Sequence, residues 1–133
     1  MNASTGPKSY NIYYDNTGGY VRMDWSGYAT QDEFREGTEY MLKVLVENNA
    51  TKVLADLTNM VLIGKDDQNY VQYNFVPRAK ERGFQVIALV KPTNYFNAIA
   101  IESMSSRIKD LRVQMRVFDD LPTAQTWLKS IDV

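Results

Sequence analysis

Lys52-Val-Leu-Ala-Asp-Leu-Thr-Asn-Met-Val-Leu-Ile-Gly64 opens with a short buried-strand pattern, Lys52 to Asp56, followed at once by a second apolar run. A strand that is apolar almost throughout, rather than at alternate positions, is covered on both faces, as parallel strands of α/β sheets are. In such sheets ligands and partners are met at the loops leaving the carboxyl ends of strands. The stretch after Asp56 is therefore the expected working surface.

Upstream, Asn11 to Asp15 and Tyr20 to Trp25 are β-prone segments separated by Asn16-Thr-Gly-Gly19, which predicts an antiparallel hairpin. Thr30-Gln-Asp-Glu33 is a capping box. Behind it Phe34, Thr38, Met41, Leu42 and Leu45, widened by Tyr40 and Val44, form one helical face, and Asn48-Asn49 ends the helix.

Downstream, a second helix is expected from Asp66-Asp67 to Arg82, with Gly83 as its cap. Pro77 should kink it or divide it into two short helices. Gln85 to Val90 reads as a central parallel strand. Phe96, Ile99, Ala100, Met104, Ile108 and Leu111 mark a third helix, and Arg112 to Phe118 a further strand. Asp119-Asp120 caps a last helix whose face is Leu121, Ala124, Trp127, Leu128 and Ile131, so Trp127, like Trp25, is expected in the core. The order β-β-α-β-α-β-α-β-α defines an α/β fold: a mostly parallel five-stranded sheet with an antiparallel N-terminal strand, right-handed crossovers and about four helices.

The 133 residues, without an internal linker or repeat, fit one domain over 10–133 behind a small, polar tail at 1–9. The chain has no Cys and no His, which excludes thiol nucleophiles, disulfides, thiolate zinc sites and the usual imidazole acid/base. Fifteen Lys and Arg against sixteen Asp and Glu, in no long block, disfavour nucleic-acid binding. Met1 to Ser9 is not a secretory signal, and the longest apolar run, Val86 to Val90, is far short of the ~20 residues of a membrane span. A cytoplasmic protein is expected.

This order of elements is similar to the SpoIIAA-like fold of STAS domains. The chain resembles small bacterial STAS-related proteins in Trp25-Ser-Gly-Tyr28, in Val53-Leu-Ala-Asp-Leu-Thr-Asn-Met60, in Pro77-Arg-Ala-Lys-Glu-Arg-Gly83, and in Phe118-Asp-Asp-Leu-Pro-Thr-Ala124 leading to Trp127-Leu128. In the anti-sigma-factor antagonists of this fold, a loop reading roughly Asp-Leu-Ser-x-Val-x-Phe-Ile-Asp-Ser-Ser-Gly carries a phosphorylated serine. Here Lys65 and Asp66 replace the serines of Asp56-Leu-Thr-Asn-Met-Val-Leu-Ile-Gly-Lys-Asp-Asp67, so the resemblance does not carry the phospho-switch across.

Gly64-Lys65 lacks the other residues of a P-loop, and Ser106-Arg-Ile-Lys109 lacks the companion motifs of acyl-transfer enzymes. Asp56, Asn59, Lys91 and Asp119 fall at the predicted carboxyl ends of strands and could together bind a small polar ligand. The plainer reading is that Asp56 orders its turn, Asp119 and Asp120 cap a helix and Lys91 is solvated. Met60-Val-Leu-Ile63 with Tyr70, Tyr73 and Phe75 supplies more apolar surface than one helix face buries, as interaction sites do. The candidate ligand- or partner-binding residues are Asp56, Thr58, Asn59, Met60, Leu62, Ile63, Asp66, Tyr70, Tyr73 and Lys91. No catalytic residue, cofactor or metal is assigned. The leading expectation is a non-catalytic regulatory or protein-interaction module that binds a protein partner or itself. Alternatives are a binder or sensor of a small apolar ligand or lipid, and an enzyme using carboxylate, Lys or Tyr groups.

Overall fold

The computed structural model describes residues 9–61, 64–108 and 111–131. Five strands, β1 (Tyr10–Asp15), β2 (Tyr20–Gly27), β3 (Lys52–Met60), β4 (Val86–Val90) and β5 (Gln114–Phe118), form one sheet in the order β1-β2-β3-β4-β5. β1 runs antiparallel to β2 and every other pair is parallel. The middle strand is β3. β4, expected to be central, lies between β3 and β5 and is buried along its whole length. Residues 1–8 of the expected tail lie outside the described residues, and the Ser9 carbonyl accepts from the Ser26 N–H at 2.8 Å.

The capping box forms as its residues require: the Glu33 N–H donates to Thr30 Oγ1 and the Thr30 N–H to Glu33 Oε1, both at 3.1 Å. It starts α1 (Gln31–Glu47), which buries Phe34, Thr38, Met41, Leu42, Val44 and Leu45. Tyr40, expected on that face, is exposed. Asn49 leaves the helix with φ 51°, in the left-handed region that Asn tolerates.

The break expected at Pro77 takes the form of a π-helical segment, Val71–Phe75, between α2 (Lys65–Tyr70) and α3 (Val76–Glu81). The Val76 N–H donates five residues back, to the Val71 carbonyl. This wider turn leaves Pro77 in the first turn of α3, where its missing N–H is not needed. Gly83 follows with φ 112°, a conformation strained for any side chain.

Parallel strands added one after another in the same direction place their connecting helices on one face of the sheet. Here α1, the helical stretch over 65–81 and α4 (Tyr95–Ile108) cover that face, and α5 (Leu121–Ser130) covers β3, β4 and β5 on the other. The inward face of α4 is Asn97, Ile101, Met104, Ser105 and Ile108. Ile99, expected inside, is 47% exposed, and the side chain of Phe96 lies outside what is described. Met104 and Ile108 lie inside as expected, while the inward positions taken by polar Asn97 and Ser105 leave no trace in an apolar pattern. Asp120 caps α5 by accepting from the Thr123 N–H at 2.9 Å. At the other end Lys52 Nζ donates to the carbonyls of Leu128, at 2.9 Å, and Ile131, satisfying carbonyls that a helix end leaves free.

Candidate functional site

β3 does not stop at Asp56. It runs on to Met60 because β2 is long enough to pair with it, Ser26 opposite Asn59 and Gly27 opposite Met60, across a bulge that follows Asp24 and Asp56. Asp56 orders this irregularity: its Oδ1 accepts from the Thr58 N–H at 3.1 Å and from Thr58 Oγ1 at 2.6 Å. Arg22 Nη2 stands 4.0 Å from the other carboxylate oxygen, and Arg22 Nε donates to Asp24 Oδ1 at 2.9 Å. Arg22, Asp24 and Asp56, with Asn11, Ser26 and Asn59 and the rings of Tyr10 and Trp25, line an open cleft of about 340 Å³ toward the carboxyl ends of β2 and β3.

Lys91 lies elsewhere on the edge, where it pairs with Asp119 at 2.9 Å and approaches Glu102 at 3.8 Å. Its hydrogen bond to Asp119, then that carboxylate's charge, raises its pKa. The two halves of the edge are tied by Thr93, whose N–H and Oγ1 both donate to the Thr58 carbonyl at 3.2 Å.

The apolar part of the candidate set divides. Met60 is 2% exposed, whereas Val61 next to it is 50% exposed. Leu62 and Ile63 lie outside the described residues. The Val61 N–H donates to the Gly27 carbonyl at 3.0 Å, which brings Val61 beside Tyr28, itself 62% exposed. Buried Asn97 holds this loop from below, its Nδ2 donating to the carbonyls of Met60, at 3.0 Å, and Val61. Ile99 is exposed near the start of α4 on the same edge.

Asp66 and Tyr73 are exposed, Tyr73 to 72%. Tyr70 is half-buried under the Arg35 guanidinium, 4.7 Å above its ring, and its hydroxyl donates to Glu39, which also accepts from Arg78 Nη1 at 3.0 Å. Burial and the Glu39 carboxylate push the Tyr70 hydroxyl up to about 12. Beside it Asp67 is almost fully buried, 3.7 Å from Arg35 Nε. Burial pushes the Asp67 carboxyl up, against the pull of Arg35 and with the added push of Asp66.

A carboxyl raised by folding favours the fold when protonated. Its contribution is full below the unfolded value, about 3.9, and is lost as pH rises through the folded one. Asp67→Asn is therefore expected to raise the thermal midpoint at neutral pH, and to lose that gain as the pH is lowered through the carboxylate range. A gain that did not depend on pH would assign the effect to the amide's own contacts.

No protein-family model matches the sequence, and no curated protein does either. Solved structures do match, and they place the chain in the SpoIIAA-like fold, with a sheet that is parallel except for its first strand. One is an uncharacterised protein of the DUF3478 family with a SpoIIAA-like fold from Shewanella loihica. It shares 14% identity at a TM-score of 0.58, over 96% of this chain and 98% of that one. Another is an anti-sigma factor antagonist from Mycobacterium paratuberculosis, with 12% identity and a TM-score of 0.60 over 94% of this chain and 98% of that one.

Sequence reasoning missed Tyr28, Ile99, Arg22, Asp24 and Asn97. Tyr28 follows Ser26-Gly27 at the end of a strand, where a single tyrosine carries no signal of exposure. Arg22 and Asp24 alternate with Met23 and Trp25, and that polar alternation is the trace of a strand with one face uncovered.

Proposed function

We propose that this protein is a non-catalytic regulatory module of the STAS-related kind, acting in the cytoplasm as a single domain over 10–133. It binds a protein partner or a second copy of itself through the carboxyl edge of its sheet. The observation that carries this reading is the exposed pair Tyr28 and Val61, joined through the Gly27 carbonyl and held from below by Asn97. Loops fixed in this way present apolar side chains at low entropic cost on binding. The cleft at Arg22, Asp24 and Asp56 opens on the same edge, and an apolar centre with a polar rim is the usual anatomy of an interface.

The chemistry of the edge supports a binding role over a catalytic one. Asp56 is engaged by Thr58, Lys91 by Asp119, and Tyr70 holds its proton far above neutral pH. Lys65 and Asp66 stand where the antagonists of this fold carry serines, so regulation proceeds without phosphate at those places.

The double variant Tyr28→Ser with Val61→Ser tests the reading. Truncating a hot spot at the centre of an interface costs about 2 kcal/mol or more, so association should weaken by about tenfold or more. The melting midpoint should hold, since exposed substitutions stay within about 0.5 kcal/mol. Light scattering after size exclusion, capture of host proteins by the two forms, and thermal melts give the three readouts. Unchanged association with a lowered midpoint would refute the assignment.

A further inference from the structure

Between the sheet and its three covering helical stretches lies an apolar cavity of about 70 Å³. Its floor spans the sheet from Met23 on β2 through Ala55 on β3 to Met115 on β5, and its roof includes Met41 of α1, Val71 of the π segment and Met104 of α4. Among the described residues that line it, Thr38 and the indole of Trp25 alone carry side-chain polar groups, and the Thr38 hydroxyl donates to the Phe34 carbonyl at 2.7 Å. Water needs two to four polar partners to remain in such a space. The described wall offers it almost none.

Four of the chain's six methionines line the cavity, and methionine is the side chain that best re-packs around a guest. Part of the roof is the segment in which the helical ladder is already widened, with the Val76 N–H bonded to the Val71 carbonyl. Such π turns are frequent at functional sites. We propose that this cavity is a binding site for a small uncharged apolar molecule, up to the size of a single hydrocarbon ring, admitted past the π segment. An apolar cavity of about 150 Å³ takes up benzene, so a space about half that size receives such a guest by adjustment of its methionines. A lipid chain is too large for it. The inference is independent of the carboxyl-edge interface, which stands or falls by other experiments.

The full chain labelled with ¹³C at its methionine methyl groups, titrated with benzene, provides the test. The signals of Met23, Met41, Met104 and Met115 are expected to shift and saturate, while that of Met60, buried in the same core but away from the cavity, stays in place. Ala55→Leu, filling the space from the floor, should abolish the shifts and raise the melting midpoint. Val71→Leu does the same from the roof should the first variant not fold. The absence of a saturable shift in the four signals, an equal shift in Met60, or shifts that persist in the filled variant would overturn the proposal.

Discussion

Trp25→Ala is expected to lower the free energy of unfolding by about 3–5 kcal/mol, the cost of truncating a large buried aromatic. Trp25 is 3% exposed, with its ring centroid 5.2 Å from that of Tyr10 and 5.5 Å from that of Phe34. It thereby links β1, β2 and α1. The sequence is adapted to it: a Cβ at Gly37, in the middle of α1, would stand 2.7 Å from the indole, so this helix carries glycine despite its cost of about 1 kcal/mol in a helix interior. Urea melts of the variant give the number directly. A loss below about 1 kcal/mol, the scale of surface substitutions, would mean that α1 does not dock on β2 through this ring.

On the other face of the sheet, Leu128→Ala should cost about 2–5 kcal/mol and Trp127→Ala less, about 1–2 kcal/mol. Leu128 is fully buried in the cluster that contains Leu54, Val86 and Phe118. Trp127, expected in the core from its place on the same helical face, is only half-buried and tilts against Phe118 at 5.5 Å between ring centroids. Part of its area stays in water, which reduces what its removal can cost. The ranking is the test. Chemical denaturation showing Trp127→Ala as the more damaging variant would contradict the docking of α5.

The contrast between these two residues shows what could be read from the sequence. The period of α5 placed Leu121, Ala124, Trp127, Leu128 and Ile131 on one face, and the structure packs all five on the second core cluster. Periodicity gives direction but not depth, and α5 alone covers its side of the sheet, so its flanks stay open. The hairpin, the capping box, the parallel strands and the break near Pro77 were legible because each rests on local chemistry: turn residues, caps, continuous apolar runs and a missing N–H. The end of β3 was not. Whether residues 57–60 form strand or loop depends on the length of β2 and on a bulge between the two strands, which no local pattern in either segment records.

The candidate site was legible in its place and not in its membership. The rule that loops at the carboxyl edge do the work pointed to the stretch after Asp56, and Asp56, Thr58 and Asn59 do come together there beside exposed Val61. Met60 and Val61 are equally apolar in the sequence, yet one faces the core and the other water. The bulge decides which. Tyr28 reaches the same edge from β2 through a backbone hydrogen bond, a pairing between segments more than thirty residues apart that a reading along the chain does not reveal.

Hydrogen exchange read by mass spectrometry tests the central claim most directly, with the protein compared alone and in the complex it forms with itself or with a partner captured from its host. Protection on binding is predicted to concentrate in peptides covering 26–30 and 57–61, the two segments that meet at Tyr28 and Val61. Protection confined to β1 or to α5, with these two segments exchanging as in the free protein, or the absence of any complex, would contradict the assignment of the carboxyl edge as the binding surface.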